Sequence, residues 1–114
     1  MHELSIALSM VDIATETAEK NGGGKVSVVY LKLGALAGVV KDALLFSWEM
    51  ASADTLLEGS RLVIEDVPVV VSCSVCEAER KLDSINKFIC PVCLEATPSI
   101  VQGKELEVTA LEIE

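Results

Sequence analysis

Four cysteines in two Cys-x-x-Cys pairs constrain the fold of this 114-residue chain more than any other feature. The pairs are Cys73–Cys76 and Cys90–Cys93, and thirteen residues separate them. Two residues between cysteines let one tight turn direct two thiolates at one ion, and two such turns complete a tetrahedron with Zn–S distances of about 2.3 Å. Pro91 stiffens the second turn. The spacing therefore predicts that Cys73, Cys76, Cys90 and Cys93 bind one zinc ion.

The predicted zinc site is structural, because four protein ligands leave no position for water or substrate. The segment 73–93 has few apolar residues, so metal binding is expected to supply its folding free energy. Iron in a rubredoxin-like site and a redox-active dithiol are the alternatives, and a dithiol needs only one of the two pairs. An enzyme with catalytic zinc is disfavoured, since no open-site ligand set accompanies the cysteines.

Composition excludes several classes of protein. A hydrophobic fraction of 51% is too high for a disordered chain, and a net charge of -9 repels nucleic acid. One histidine rules out a site built from several imidazoles. The N-terminus has no basic n-region, and no uncharged apolar run reaches the roughly 20 residues of a membrane helix. The chain is therefore expected to be cytoplasmic, without membrane or nucleic-acid partners, and its cysteines to be metal ligands and not disulfides.

Hydrophobic periodicity divides the chain into helices and strands. Apolar residues at three- and four-residue spacing predict a first helix with Leu8 and Ile13 on its buried face. Asp42 is the expected N-cap of a second helix. The residues expected to face inward from this helix are Leu44, Leu45, Trp48 and Ala51. A change of phase in the last strand predicts a bulge near Ala110. The pattern predicts helices at 3–20 and 43–53, and strands at 25–33, 60–66 and 104–113. The polar residues of the strand at 25–33 do not lie on one face, so both of its faces are expected to be covered.

This order of elements predicts an α+β fold. Two helices are expected to pack on a small three-stranded sheet, with the cysteine segment inserted between the second and third strands as a zinc-ribbon-like domain of two CxxC knuckles. The predicted domains are an α/β domain of residues 1–69 and 100–114 and an inserted zinc-binding domain of residues 70–99. An exposed edge of the sheet can pair with another copy, so a monomer or a weak homodimer is expected.

The first residues form a second candidate metal site. The α-amine of Met1, the imidazole of His2 and the amide between them offer three nitrogen ligands, which suit a square-planar Ni(II) or Cu(II) ion. The partial positive charge of a helix N-terminus opposes cation binding there, and Glu3 can offset it. The alternative is that His2 is only a solvated terminal residue and Glu3 only complements the helix dipole.

These motifs together resemble a known family. Met-His-Glu-Leu-Ser at 1–5, the glycine-rich turn, the strand ending in Leu33-Gly34, the cysteine quartet and the stretch Gly103-Lys-Glu-Leu-Glu-Val occur in one chain. They are similar to the HypA/HybF nickel metallochaperones of [NiFe]-hydrogenase maturation, over essentially the whole chain.

The resemblance implies a non-enzymatic protein that binds nickel as cargo. It places nickel on the Met1 amine and on the backbone amide and imidazole of His2, with Glu3 contributing or adjacent, and structural zinc on the four cysteines. It implies a GTPase partner, HypB, and delivery of nickel to the hydrogenase large subunit. Unlike some members of the family, this chain has no histidine beside its cysteine pairs. The alternative function is a zinc-ribbon protein–protein interaction module that carries no nickel.

Overall fold

The first helix, α1, spans His2–Lys20 and buries one side. The computed structural model describes residues 2–83, 85–97 and 99–114, with His2 described by its backbone alone. Leu8 and Ile13 are 48% and 57% exposed, so their predicted burial is wrong. Gly22 and Gly23 follow the helix at φ of +108° and +74°, where glycine is the favoured residue. The buried side consists of Ala7, Met10, Val11, Ala14 and Ala18.

The helix α1 packs against the second helix, α2, which spans Lys41–Ser52. Its buried face includes Leu44, Trp48 and Ala51, as the periodicity predicts, but Leu45 is 40% exposed. Asp42 is not the N-cap, because it lies inside the first turn and the cap position is Val40, which has no side-chain capping bond.

A three-stranded sheet has the strand order β2-β1-β6. Its strands are β1 at Val26–Gly34, β2 at Arg61–Val67 and β6 at Leu106–Ile113. The central strand buries adjacent residues, Val28 and Val29, so both of its faces are covered, as the sequence predicts. In β6 the half-buried positions change phase between Val108 and Leu111, which agrees with the predicted irregularity near Ala110.

A second sheet contains the cysteine segment, in the strand order β4-β3-β5. Its strands are β3 at Val70–Cys73, β4 at Ala78–Lys81 and β5 at Ser99–Gln102, and β3 is antiparallel to both neighbours. The periodicity did not predict these strands, because four residues are too few to show a repeat. A small core supports the sheet, formed by Val69, Val71 and Leu82 with Leu36, Phe88 and Ile100 against them.

The chain divides into two compact units. The first comprises Met1–Leu31, Val39–Ile64 and Val108–Glu114, and the second comprises Lys32–Gly38 and Glu65–Glu107. The predicted folding domains, 1–69 with 100–114 and 70–99, stay a prediction. Within the described ranges, no helix combines the length and apolar character that a membrane crossing requires. The α+β class, with two helices, a three-stranded sheet and a smaller cysteine-bearing sheet, is confirmed.

Candidate metal centre

The four cysteine sulfurs converge on one point. All four Sγ atoms lie within 4.8 Å of one another. The Sγ atoms of Cys73 and Cys93 are 3.5 Å apart, and those of Cys76 and Cys90 are 3.9 Å apart. A tetrahedron with Zn–S bonds of about 2.3 Å has S–S edges of about 3.8 Å. The close pairs thus join one CxxC motif to the other at the spacing that a tetrathiolate site requires.

Two turns hold the sulfurs in place. Cys73 ends β3, and the backbone N–H of Cys76 donates to its Sγ over 3.4 Å. In the second turn the N–H of Cys90 donates to the carbonyl of Glu95, and the N–H of Leu94 donates to the carbonyl of Cys90, each over 2.9 Å. Cys73 and Cys90 are buried and the other two cysteines are half-buried. The cysteine quartet is therefore a shielded, soft, thiolate-only donor set, consistent with structural zinc.

The residue after each cysteine pair has a left-handed backbone. Glu77 has φ of +53° and Leu94 has φ of +66°. This conformation brings a side-chain Cβ close to the following carbonyl and costs roughly 1–2 kcal/mol in a residue other than glycine. Both knuckles therefore have the same left-handed turn residue, although neither has glycine, which adopts this conformation most easily.

Leu94→Gly is expected to stabilise the metal-bound protein by about 1 kcal/mol, because it removes this strain. Leu94 is 74% exposed, so little buried apolar area is lost. The free energy of unfolding of the zinc-loaded protein in denaturant measures the effect. Val75→Gly is the matched control, since Val75 is 64% exposed within the other knuckle and has no positive φ. The control should lose about 0.5–1 kcal/mol of unfolding free energy. An equal loss in both variants would contradict backbone strain at Leu94.

The environment of the metal-free sulfurs separates their pKa values. Backbone hydrogen bonds from Cys93 and Val92, together with its thiol neighbours, lower the pKa of Cys90 to about 6, against the effect of burial. Hydrogen bonding to the backbone of Glu95 acts to lower the pKa of Cys93, but burial and the three other cysteines raise it to about 12. Metal binding to all four sulfurs must therefore displace the proton of Cys93.

Arg80 on β4 is a residue of this site that the sequence did not predict. Its side chain interacts with the sulfurs of Cys76 and Cys90, and these interactions raise the pKa of the guanidinium. Its Nε is buried and has no hydrogen-bond partner among the described residues. An arginine in a short, alternating strand gives no signal of its own, and only the strand pairing shows where its side chain lies.

The N-terminal candidate site is only partly described. Met1 and the side chain of His2 lie outside the described residues, and the backbone of His2 begins α1. Glu3 is 7% exposed, and its Oε2 accepts a hydrogen bond of 3.1 Å from the backbone N–H of Val40. The carboxylate of Glu3 therefore fixes the chain at the start of α2, a role that the sequence did not predict.

An α+β protein with a cluster of four cysteines placed to bind one metal ion is the class that this fold and site define. A family model described as hydrogenase/urease nickel incorporation, metallochaperone, hypA matches residues 1–113. The hydrogenase maturation factor HypA of a Roseiflexus species is 54% identical over 114 residues, covering 100% of this chain and 93% of that protein.

Two solved structures have the same fold. The solution structure of a HypA protein has a TM-score of 0.71 at 26% identity and covers 100% of this chain and 97% of that one. The solution structure described as the Ni metallochaperone HypA from Helicobacter pylori has a TM-score of 0.66 at 25% identity and covers 97% of this chain and 96% of that one. The chain belongs to the HypA family of hydrogenase maturation factors, which are nickel metallochaperones and not enzymes.

Proposed function

We propose that the chain binds Ni(II) through its first residues and delivers it for assembly of the [NiFe]-hydrogenase active site. The ligands are the Met1 amine, the His2 amide and the His2 imidazole, a nitrogen set that suits a square-planar ion. The observation that carries the proposal is the family match, which begins at residue 1 and includes the Met-His-Glu start. The H. pylori structure with a similar fold is described as a Ni metallochaperone.

Glu3 follows the proposed nickel ligands directly in the sequence. Its side chain is buried, and Oε2 already accepts the Val40 N–H. A carboxylate in that position holds the third residue in a fixed place and adds negative charge at the N-terminus of α1, where the helix dipole would otherwise repel a cation. The remaining nickel ligand is then the Glu3 amide, a side-chain oxygen or water.

Zinc has a separate, structural role in this proposal. Cys73, Cys76, Cys90 and Cys93 are its ligands, and residues 70–99 form the domain that it holds together. The S–S distances of 3.5 and 3.9 Å support this assignment, because they lie close to the edge length of a zinc tetrathiolate. A closed site exchanges ligands poorly, so the cargo metal occupies the N-terminus and not the cysteines.

The partners follow from membership of a hydrogenase maturation family. The chain works in the cytoplasm as a monomer or weak homodimer, with the GTPase HypB, and passes nickel to the hydrogenase large subunit. A net charge of -9 favours protein partners over nucleic acid. A site of a few nitrogen ligands near a chain terminus also suits a carrier, because a carrier must release its metal.

Nickel titration of the zinc-loaded protein tests the N-terminal site. The native protein, with Met1 verified as its first residue by mass spectrometry, is compared with His2→Ala and with a form extended before Met1. Both changes are expected to weaken nickel binding by at least about tenfold, or 1.4 kcal/mol. The extension removes the free amine, and the substitution removes the imidazole.

Ser5→Ala is the matched control, because Ser5 is an exposed residue of the same helix. It should bind nickel as the native protein does. Zinc content, measured in parallel, must stay at one ion per chain in every variant. Equal nickel affinity in all four forms would rule out the proposed ligands and favour an interaction module without nickel carriage.

A further inference from the structure

Strand pairing places Arg80 on the face of the second sheet that carries the cysteine cluster. In the antiparallel register of β3 and β4, Val71 lies opposite Arg80 and Cys73 lies opposite Ala78. Residues directly opposite each other share a face, and so do residues two apart on one strand. Arg80 and Cys73 therefore project from the same face, whereas Lys81 projects from the other.

The guanidinium of Arg80 contacts one cysteine from each pair. It interacts with the sulfurs of Cys76 and Cys90, which are themselves 3.9 Å apart. The Arg80 side chain is half-buried, and its Nε–H is shielded from water without an acceptor among the described residues. A buried donor without a partner is costly, and a metal-bound thiolate is an acceptor that would satisfy it.

The charge of a filled site explains why a cation belongs there. Four thiolates and one Zn(II) together carry a charge of about -2. Two of the four sulfurs belong to fully buried cysteines, where water cannot screen this charge. The surrounding chain is acidic and adds no general compensation. Arg80 supplies a positive charge and several N–H donors in a planar fork at the Cys76–Cys90 edge of the cluster.

We propose that Arg80 is a positioning residue of the zinc site: its guanidinium bonds to the Cys76 and Cys90 thiolates, offsets the negative charge of the filled cluster and slows zinc loss. This inference rests on the proposed zinc ligation by the four cysteines. It gives the four sulfurs unequal environments. The Arg80 cation lies against Cys76 and Cys90, and the Cys73–Cys93 edge has no such contact with Arg80. The cysteine spacing alone implies four equivalent ligands.

The test compares Arg80→Met, Arg80→Lys and Lys81→Met in zinc-loaded protein. Lys81→Met is the matched control, because it removes a positive charge from the next residue of β4 on the opposite face. Loss of an outer-shell partner typically lowers metal affinity about 10- to 100-fold. Arg80→Met is therefore expected to lose zinc to a chelator at least about tenfold faster than the native protein, Arg80→Lys less so, and Lys81→Met at the native rate.

Two further readouts separate this role from a general loss of folding. In Co(II)-loaded protein, removal of the cation raises the energy of the sulfur electrons, so the thiolate-to-metal absorption should move to longer wavelength in Arg80→Met alone. Limited alkylation of the zinc-loaded protein, mapped by mass spectrometry, should increase at Cys76 and Cys90 and not at Cys73 and Cys93.

Each outcome is decisive. An unshifted absorption band with even alkylation of all four cysteines would overturn the role of Arg80, even if Arg80→Met were less stable. A native zinc-loss rate in Arg80→Met would overturn it as well. A native protein that bound no zinc at all would instead contradict the proposed zinc site, so the two failures are distinguishable by the zinc content of the unmodified chain.

Discussion

Removing zinc with a chelator is expected to abolish the hydrogen-exchange protection of β3, β4 and β5 while α1 stays protected. Among the residues that the structure describes, the core of the second sheet has three buried apolar side chains, Val69, Val71 and Leu82, which is too few to hold the segment alone. Structural zinc contributes about 10–16 kcal/mol in zinc-finger peptides. The helix α1 has its own packing against α2 and a buried apolar side of its own.

Amide protection at Leu82 and Thr97 gives the sharpest measurement. The Leu82 N–H donates to the Val69 carbonyl and the Thr97 N–H to the Phe88 carbonyl, over 2.9 and 2.8 Å. Their exchange is expected to accelerate by at least about a thousandfold, which corresponds to roughly 4 kcal/mol. Amides of buried α1 residues such as Ala14 should change little.

Two variants control for direct effects of the chelator. Cys76→Ser should reproduce the loss without any chelator, because one ligand is missing. Ser74→Ala changes an exposed residue of the same turn and should behave as the native chain. Readdition of zinc should restore protection in the chelated native protein. Full protection of β3–β5 in protein shown by mass spectrometry to hold no metal would disprove the structural role of zinc.

The sequence predicts features that depend on local spacing. The four-cysteine cluster was predictable because two residues between cysteines fix the turn geometry wherever the segment lies. The central strand was predictable because a run of β-branched residues without a polar face requires cover on both sides. In each case the information lies within a few residues of the feature itself.

Features that depend on distant residues were not predictable in this way. Asp42 has the residue type of an N-cap, but the acceptor for the Val40 N–H at the start of α2 is Glu3, which lies 37 residues before Val40. Periodicity marks Leu8 and Ile13 as apolar positions of α1 but does not show how much of the helix surface the rest of the chain covers. The contact of Arg80 with the cysteines depends on the register of β3 and β4.

Gly34→Ala is expected to destabilise the protein by about 3 kcal/mol or more. A Cβ at this position would collide with the carbonyl group of Gly103 and the amide nitrogen of Glu105, which are backbone atoms and have no rotamer that moves them aside. The Gly34 N–H donates to the Glu105 carbonyl over 2.7 Å, and the Leu36 N–H donates to the Gly103 carbonyl over 2.6 Å. The two segments of backbone are therefore in direct contact, and a methyl group must force them apart.

The same contact gives a physical reason for two of the motifs on which the family resemblance depends. Leu33-Gly34 and the stretch that begins at Gly103 are distant in sequence, yet the missing side chain of Gly34 leaves room for the backbone of that stretch. Gly103 is itself confined, since its φ is +122° and a Cβ there would lie 3.0 Å from the Cα of Val69. The end of β1, the turn before β6 and the approach to β3 thus meet at positions where no side chain fits.

Gly23→Ala separates this steric cost from the conformational cost of losing a glycine. Gly23 has φ of +74°, but no atom lies within 4 Å of the position that a Cβ would take there, so only the left-handed backbone is penalised, at about 1 kcal/mol. Denaturant unfolding of the two zinc-loaded variants measures the difference in free energy of unfolding. Equal losses would mean that the backbone at Gly34 can move to admit a methyl group. A markedly larger loss in Gly34→Ala would show that the contact with Gly103 is rigid and that the resemblance at these two positions reflects packing, not nickel binding.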